Sequence, residues 1–200
     1  MGQHDFMKIQ AVVFDIGGVL ETTPDLGVTE MWECRLGLAP GELDGRMYDV
    51  WRGGSMGTVS EDEVHQALRE RLGLDEQQLT EFMGGIWREY LGTANTELVE
   101  YARQLRPRYR TGIVSNSFVG AREREQAAYG FGDLVDEIVY SHECGMPKPD
   151  PGIYALVCER LQADPAEIEP PRVFRTGNRV TIYAAACISR SSSITSCGVL

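Results

Sequence analysis

Residues 8–20 read Lys8-Ile9-Gln10-Ala11-Val12-Val13-Phe14-Asp15-Ile16-Gly17-Gly18-Val19-Leu20. A short apolar, β-branched run stops at an aspartate and a glycine pair, the pattern of a buried strand that ends in a loop. Comparable runs return only after residue 92: 111–114, ending at Ser115-Asn116, then 137–140 and 172–174. Helical patterns lie between them. Asn95 caps one that carries Leu98, Tyr101, Ala102 and Leu105, residues 121–129 form a charged one, and Asp150 caps another whose first residue is Pro151. From residue 25 to about 91 the chain reads as helix throughout. Ser60-Glu61-Asp62-Glu63 is a capping box ahead of Val64, Leu68 and Leu72. Asp75 opens a helix with Leu79, Phe82, Met83, Ile86 and Tyr90 on it, and Gly53-Gly54 and Gly57 predict breaks before the capping box. This order predicts an α/β fold, a parallel sheet flanked by helices, with a helical subdomain inserted after the first strand.

Composition narrows the function. The 200 residues suit one domain with an insertion, and 42% hydrophobic with 24% charged residues is ordinary for a globular chain. A net charge of -11 disfavours sequence-independent binding to nucleic acid or an anionic membrane, so neither is expected as a partner. Apolar runs such as 11–14 fall far short of the ~20 residues that span a bilayer, and no signal-like segment opens the chain. The five cysteines (34, 144, 158, 187, 197) include no CxxC pair, which predicts reduced thiols and a cytoplasmic location. The three histidines (4, 65, 142) are scattered, against a His-rich metal site.

In open parallel sheets, ligands gather at the carboxyl ends of the strands. Three such positions carry polar groups here: Asp15, then Ser115-Asn116, then Lys148 in Gly145-Met146-Pro147-Lys148-Pro149-Asp150. A carboxylate can attack phosphorus or carbon. A hydroxyl and neighbouring N–H groups can hold a phosphate, and an ammonium offsets developing negative charge. Singly, these residues read as a turn aspartate, a helix cap and a solvated loop lysine. Together, in order and each tied to a strand, they predict one site.

These three segments resemble the three leading motifs of the haloacid dehalogenase (HAD) superfamily of hydrolases. Val12-Val13-Phe14-Asp15-Ile16-Gly17-Gly18-Val19-Leu20 is similar to the first, Ile113-Val114-Ser115-Asn116-Ser117 to the second, and Gly145 to Pro151 with Ile153-Tyr154 to the third. The spacings, 100 residues from Asp15 to Ser115 and 33 from Ser115 to Lys148, suit a helical cap between the first two motifs. The resemblance implies a Rossmann-like core, residues 8–22 and 93–200, and a helical cap, residues 23–92. It implies that Asp15 is the nucleophile that forms an aspartyl ester with a small-molecule substrate. Ser115, Asn116 and the backbone near Gly18 would hold the transferring group, and Lys148 would neutralise charge. In phosphatase members Mg²⁺ is held by the nucleophile, by the carbonyl two residues on (Gly17 here), and by a later acidic residue.

Two features depart from that pattern. Most phosphatases of the superfamily carry an aspartate, as general acid and base, where this chain has Gly17. Halide leaves without a proton, so Gly17 also suits a metal-independent 2-haloacid dehalogenase. The acidic pair of the fourth motif should fall at Thr176-Gly177, and no acid follows Glu169. Residues 170–200 carry four arginines and no acid, against -15 for residues 1–169, and Ala184-Ala185-Ala186 is the only echo of the expected helix. The composition break implies an altered C-terminus, from a frame error, a truncation or a divergent splice. Thr176-Gly177-Asn178 is also a loose echo of the Ser-Ser-Asn of dehalogenases.

The leading expectation is a Mg²⁺-dependent phosphatase of a small phosphorylated metabolite. The alternatives are a dehalogenase and a catalytically impaired binding module. A response-regulator receiver also uses Asp, Ser/Thr and Lys at strand ends, but its aspartate lies on a mid-chain strand and it has no helical insertion. Trp51, Arg52 and Met56 fall where the cap faces a substrate, with Trp51 expected in the cap core. Trp32 and Trp87 read as packing, and Arg122-Glu123-Arg124-Glu125 as a solvated helix face.

Overall fold

The computed structural model describes residues 11–163. The expected strand at 172–174, Thr176-Gly177-Asn178, Ala184-Ala185-Ala186 and the acid-free terminus lie outside the described residues. Three parallel strands are adjacent in the order β1 (Ala11–Phe14), β4 (Arg110–Ser115), β5 (Glu137–Tyr140). Their register sets Phe14 beside Ile113 and Ser115 beside Tyr140, so the chain leaves all three strands along one edge.

Alternation sorts the strand side chains onto two faces. Phe14, Ile113 and Ile138 pack with Leu98 and Ala102 of α5 (Thr96–Leu105) and with Phe131 and Leu134 of α7 (Phe131–Leu134). Val13, Val114 and Val139 pack on the other face with Ile153 and Val157 of α9 (Pro151–Arg160). Gly112 lets α9 approach: a Cβ there would stand 3.0 Å from a Leu161 methyl. The helix starts are read correctly, because capping is local chemistry. Asn95 Oδ1 accepts from Leu98 N at 3.2 Å, and Asp150 Oδ1 from Gly152 N at 2.8 Å ahead of Pro151.

Between β1 and α5 the chain builds four helices: α1 (Val28–Leu36), α2 (Glu42–Met56), α3 (Glu61–Leu72) and α4 (Glu76–Leu91). They share a hydrophobic cluster centred on Trp32, Leu43, Met47, Val64, Leu68 and Phe82. Trp32 and Trp87 are buried in it, as expected, and Ser60 and Asp75 close capping boxes. The break expected at Gly53-Gly54 does not occur. α2 runs through both glycines to Met56, and only Gly57, at φ +70°, ends it. The pair serves packing instead: a Cβ on Gly54 would lie 2.2 Å from the Phe118 ring and one on Gly53 2.3 Å from a Val59 methyl.

One element has no sequence signature. β2 (Glu21–Thr22) pairs antiparallel with β3 (Thr93–Ala94), tying together the two passages between sheet and helices. Asn95 secures this crossing, with its backbone N–H on Leu20 C=O (2.8 Å) and its Nδ2 on Val19 C=O (3.1 Å). Two-residue strands are too short to show a period, so the crossing is invisible in the sequence.

Candidate functional site

Asp15 follows the last residue of β1, at the edge where the three parallel strands end. Its Oδ1 accepts the Ile16 N–H at 2.8 Å, which orients the carboxylate, and its Oδ2 lies 2.5 Å from Lys148 Nζ. Lys148 Nζ also donates to Val114 C=O at 3.1 Å. The Lys148 backbone is held in turn by Asn116: Oδ1 accepts its N–H at 2.7 Å and Nδ2 donates to its C=O at 3.2 Å. Three residues from three separate segments are thereby brought within contact. The pair is partly enclosed, with side chains 30% (Asp15) and 17% (Lys148) exposed, so it is attenuated but not fully screened by solvent.

Ser115 closes β4 beside Asn116 but is buried, and its hydroxyl donates to the Asn116 carbonyl at 3.3 Å. Gly18 takes φ +72° in the exposed turn after Asp15, a conformation that favours glycine. Gly17 is exposed beside it and bridges to Glu21.

Several polar groups near this edge escape sequence reading. Glu21 is buried, and its Oε1 lies 3.6 Å from where a Cβ on Gly17 would stand. Burial pushes its carboxyl up to about 7, opposed by the Thr23 hydroxyl and reinforced by the charges of Glu125 and Asp15. Its Oε2 has no partner among the described residues. Glu125 of α6 (Ala121–Tyr129) corrects the expectation of a solvated face at 122–125. It is 2% exposed, receives hydrogen bonds from the Tyr140 and Tyr90 hydroxyls, and burial raises it to about 7. Arg124, next to it, sits over the Trp87 ring and pairs with Glu61 at 2.5 Å. The four charges read alike in sequence; only the docking of α6 against α4 separates buried from exposed. Ser117, two residues beyond β4, bonds His142 Nδ1 at 2.7 Å, and burial holds that imidazole below its usual range.

Between the sheet edge and the helices lies a cavity of about 480 Å³. Asn116, Ser117 and Pro147 line it from the sheet side. Trp51 of α2, Ile86, Trp87 and Tyr90 of α4, and Phe118 form its apolar walls. Trp51 packs against the helical cluster, as expected, stacking on Phe82, and from there it also lines the cavity; Arg52 and Met56 are not among the lining residues.

Among the described residues no group of three or more Asp, Glu, His or Cys could hold a metal ion. Asp15 and the exposed Gly17 carbonyl are hard oxygen donors on one turn. Mg²⁺ accepts one or two carboxylates when phosphate oxygens and waters complete its shell, so this pair fits an ion shared with a phosphorylated substrate. No helix among the described residues is long and apolar enough to cross a membrane.

Comparison with known proteins supports the fold. No curated protein matches the chain. Among solved structures, a HAD family enzyme from Bacteroides thetaiotaomicron, determined with magnesium and inorganic phosphate, superposes with a TM-score of 0.65 at 21% identity over 80% of this chain and 82% of that one. A predicted HAD-like family hydrolase from Porphyromonas gingivalis gives 0.59 at 22% identity, covering 80% of this chain and 79% of that one. A 2-haloacid dehalogenase from Pseudomonas syringae pv. tomato gives 0.52 at 19% identity, covering 78% and 74%. At these identities the likeness is one of fold. Residues 9–168 match the family model for haloacid dehalogenase-like hydrolases, and the chain belongs to that family.

Proposed function

We propose that the protein is a phosphoric monoester hydrolase in which Asp15 is the nucleophile and the four helices α1–α4 form a cap over the substrate. The observation that carries this reading is the convergence of the Asp15 carboxylate, the Lys148 ammonium and the Asn116 amide at one sheet edge, with Lys148 Nζ 2.5 Å from Asp15 Oδ2. An Asp15 oxygen attacks phosphorus, the bond to the leaving oxygen breaks, and an aspartyl phosphate forms. Water then attacks that phosphorus, releasing inorganic phosphate and restoring the carboxylate. Lys148 orients Asp15 beforehand, and offsets charge on the phosphoryl oxygens as they pass through the transition state. Ser115, Asn116 and the backbone of the turn at Gly18 would hold that group. Mg²⁺, held by Asp15 and the Gly17 carbonyl together with phosphate, would add Lewis-acid stabilisation. A soluble, cytoplasmic small-molecule enzyme is the setting that fits the composition.

Gly17 supports a second reading, cleavage of a carbon–halogen bond, because a halide needs no proton to depart. A 2-haloacid, however, brings a carboxylate into the site, and the cavity lining includes no arginine or lysine. The deciding assay is phosphate release from a panel of phosphoesters, with and without Mg²⁺, beside halide release from 2-haloacids. Phosphate release abolished by Asp15→Asn is the expected result; halide release alone would replace the phosphatase reading with the dehalogenase one.

A further inference from the structure

We propose that the cavity between the cap and the sheet edge takes an uncharged aromatic leaving group, so that the substrate is an aryl phosphate and not a metabolite with a second anionic group. This deepens the hydrolase reading and rests on it. Three observations support it. First, the walls are Trp51, Trp87, Tyr90 and Phe118 with Ile86 and Pro147, surfaces that stack on or enclose a flat apolar ring.

Second, no cation lines the cavity to pair with an anion. The charged residue among the lining is Asp44. Lys148 is engaged with Asp15, Arg124 with Glu61 and the Trp87 ring, and Arg122 with Glu143, while Arg52, next to Trp51, is exposed and not among the lining residues. A carboxylate or second phosphate would be desolvated against aromatic rings, with hydroxyls and the Asn116 amide but no cation beside it.

Third, the chemistry fits the same group. Gly17 offers no side chain to protonate a departing oxygen, and the neighbouring Glu21 side chain is buried, 3% exposed. An alkoxide leaves badly without that proton, since its parent alcohol has a pKa near that of water, ~15.7. A phenol has a pKa of about 10, so its oxyanion leaves unaided. Asp15 forms the new O–P bond, the P–O(aryl) bond breaks, and the aryloxide carries off the electron pair and takes its proton from water.

The test joins binding to turnover. Calorimetric titration of the full chain with 2-naphthol and with 2-naphthoate should show naphthol at least tenfold tighter. Trp51→Ala should weaken naphthol about tenfold. Asp44→Asn, at an exposed position that leaves the fold intact, should narrow the discrimination against naphthoate by raising its affinity alone. In turnover, 2-naphthyl phosphate should exceed glycerol 3-phosphate and phosphoglycolate by at least 10²-fold in kcat/KM, about the value of the missing proton transfer. Naphthoate binding as tightly as naphthol, or phosphoglycolate turning over as fast as the naphthyl ester, would overturn the proposal. Selective naphthol binding without phosphate release from any ester would uphold the cavity's preference and overturn the phosphatase reading. Turnover of anionic esters without naphthol binding would do the reverse.

Discussion

Asn116 grips Lys148 by both polar atoms of its backbone, accepting the N–H at 2.7 Å and donating to the C=O at 3.2 Å. The residue after β4 thereby fixes the residue that reaches back to Asp15, and one amide links two of the three segments of the site. Asn116→Asp keeps the acceptor and loses the donor. It should lower kcat by about 10–10²-fold, because small errors in placing a charged group are costly at a transition state. The drop should appear in kcat more than in KM, with the circular-dichroism spectrum unchanged.

Gly57 ends α2 at φ +70°, and a Cβ there would lie 1.8 Å from the His142 carbonyl oxygen, a backbone atom that cannot swing aside. Gly57→Ala should destabilise the fold by roughly 1–3 kcal/mol through strain and forced separation of cap and sheet edge. Urea unfolding monitored by tryptophan fluorescence reads this directly. A variant as stable as the parent would show that the two parts do not meet at this point.

Burial holds the carboxyls of both Glu21 and Glu125 at about 7, above their ordinary value of 4.5. Between these limits the folded chain binds more protons than the unfolded one, so stability must fall as pH rises from about 4.5 to 7. Glu125 alone corresponds to roughly 3 kcal/mol over that window. His142, held low by burial, works in the opposite direction below 6.5 and offsets part of the slope. Denaturant midpoints measured from pH 4.5 to 8 should show the decline. Glu125→Gln, which keeps an oxygen for the Tyr140 and Tyr90 hydroxyls, should flatten it.

Asp15 and the Gly17 carbonyl, the Mg²⁺ ligands proposed above, are only two donors among the described residues. The ion should therefore bind weakly alone, with a Kd on the order of millimolar, and at least tenfold more tightly with a phosphate analogue such as tungstate present. Calorimetry with and without the oxyanion checks this coupling. Tight Mg²⁺ binding without the oxyanion would mean that further acidic ligands reach the site.

Local chemistry made much of the chain readable. The capping residues Ser60, Asp75, Asn95 and Asp150, the β-branched strands and the polar groups at their ends all depend on neighbours a few positions away, so the α/β order and the trio Asp15, Asn116 and Lys148 were legible in one dimension. The fate of Gly53-Gly54 was not, because a glycine that breaks a helix and one that lets Phe118 approach look the same until the partner is in place. The same holds for 122–125, where four alternating charges promise a solvated face and docking against α4 buries Glu125 beside Tyr90 and Tyr140. Fold class and the residues that meet at the sheet edge could be read from one dimension, since periodicity and caps act over one or two turns. Which carboxyls are buried and raised to about 7, and the enclosure of the cavity by aromatic rings from α2, α4 and the loop after β4, depend on residues far apart in the chain, such as Glu21 and Glu125 or Trp51 and Phe118, and so emerge only from the folded packing.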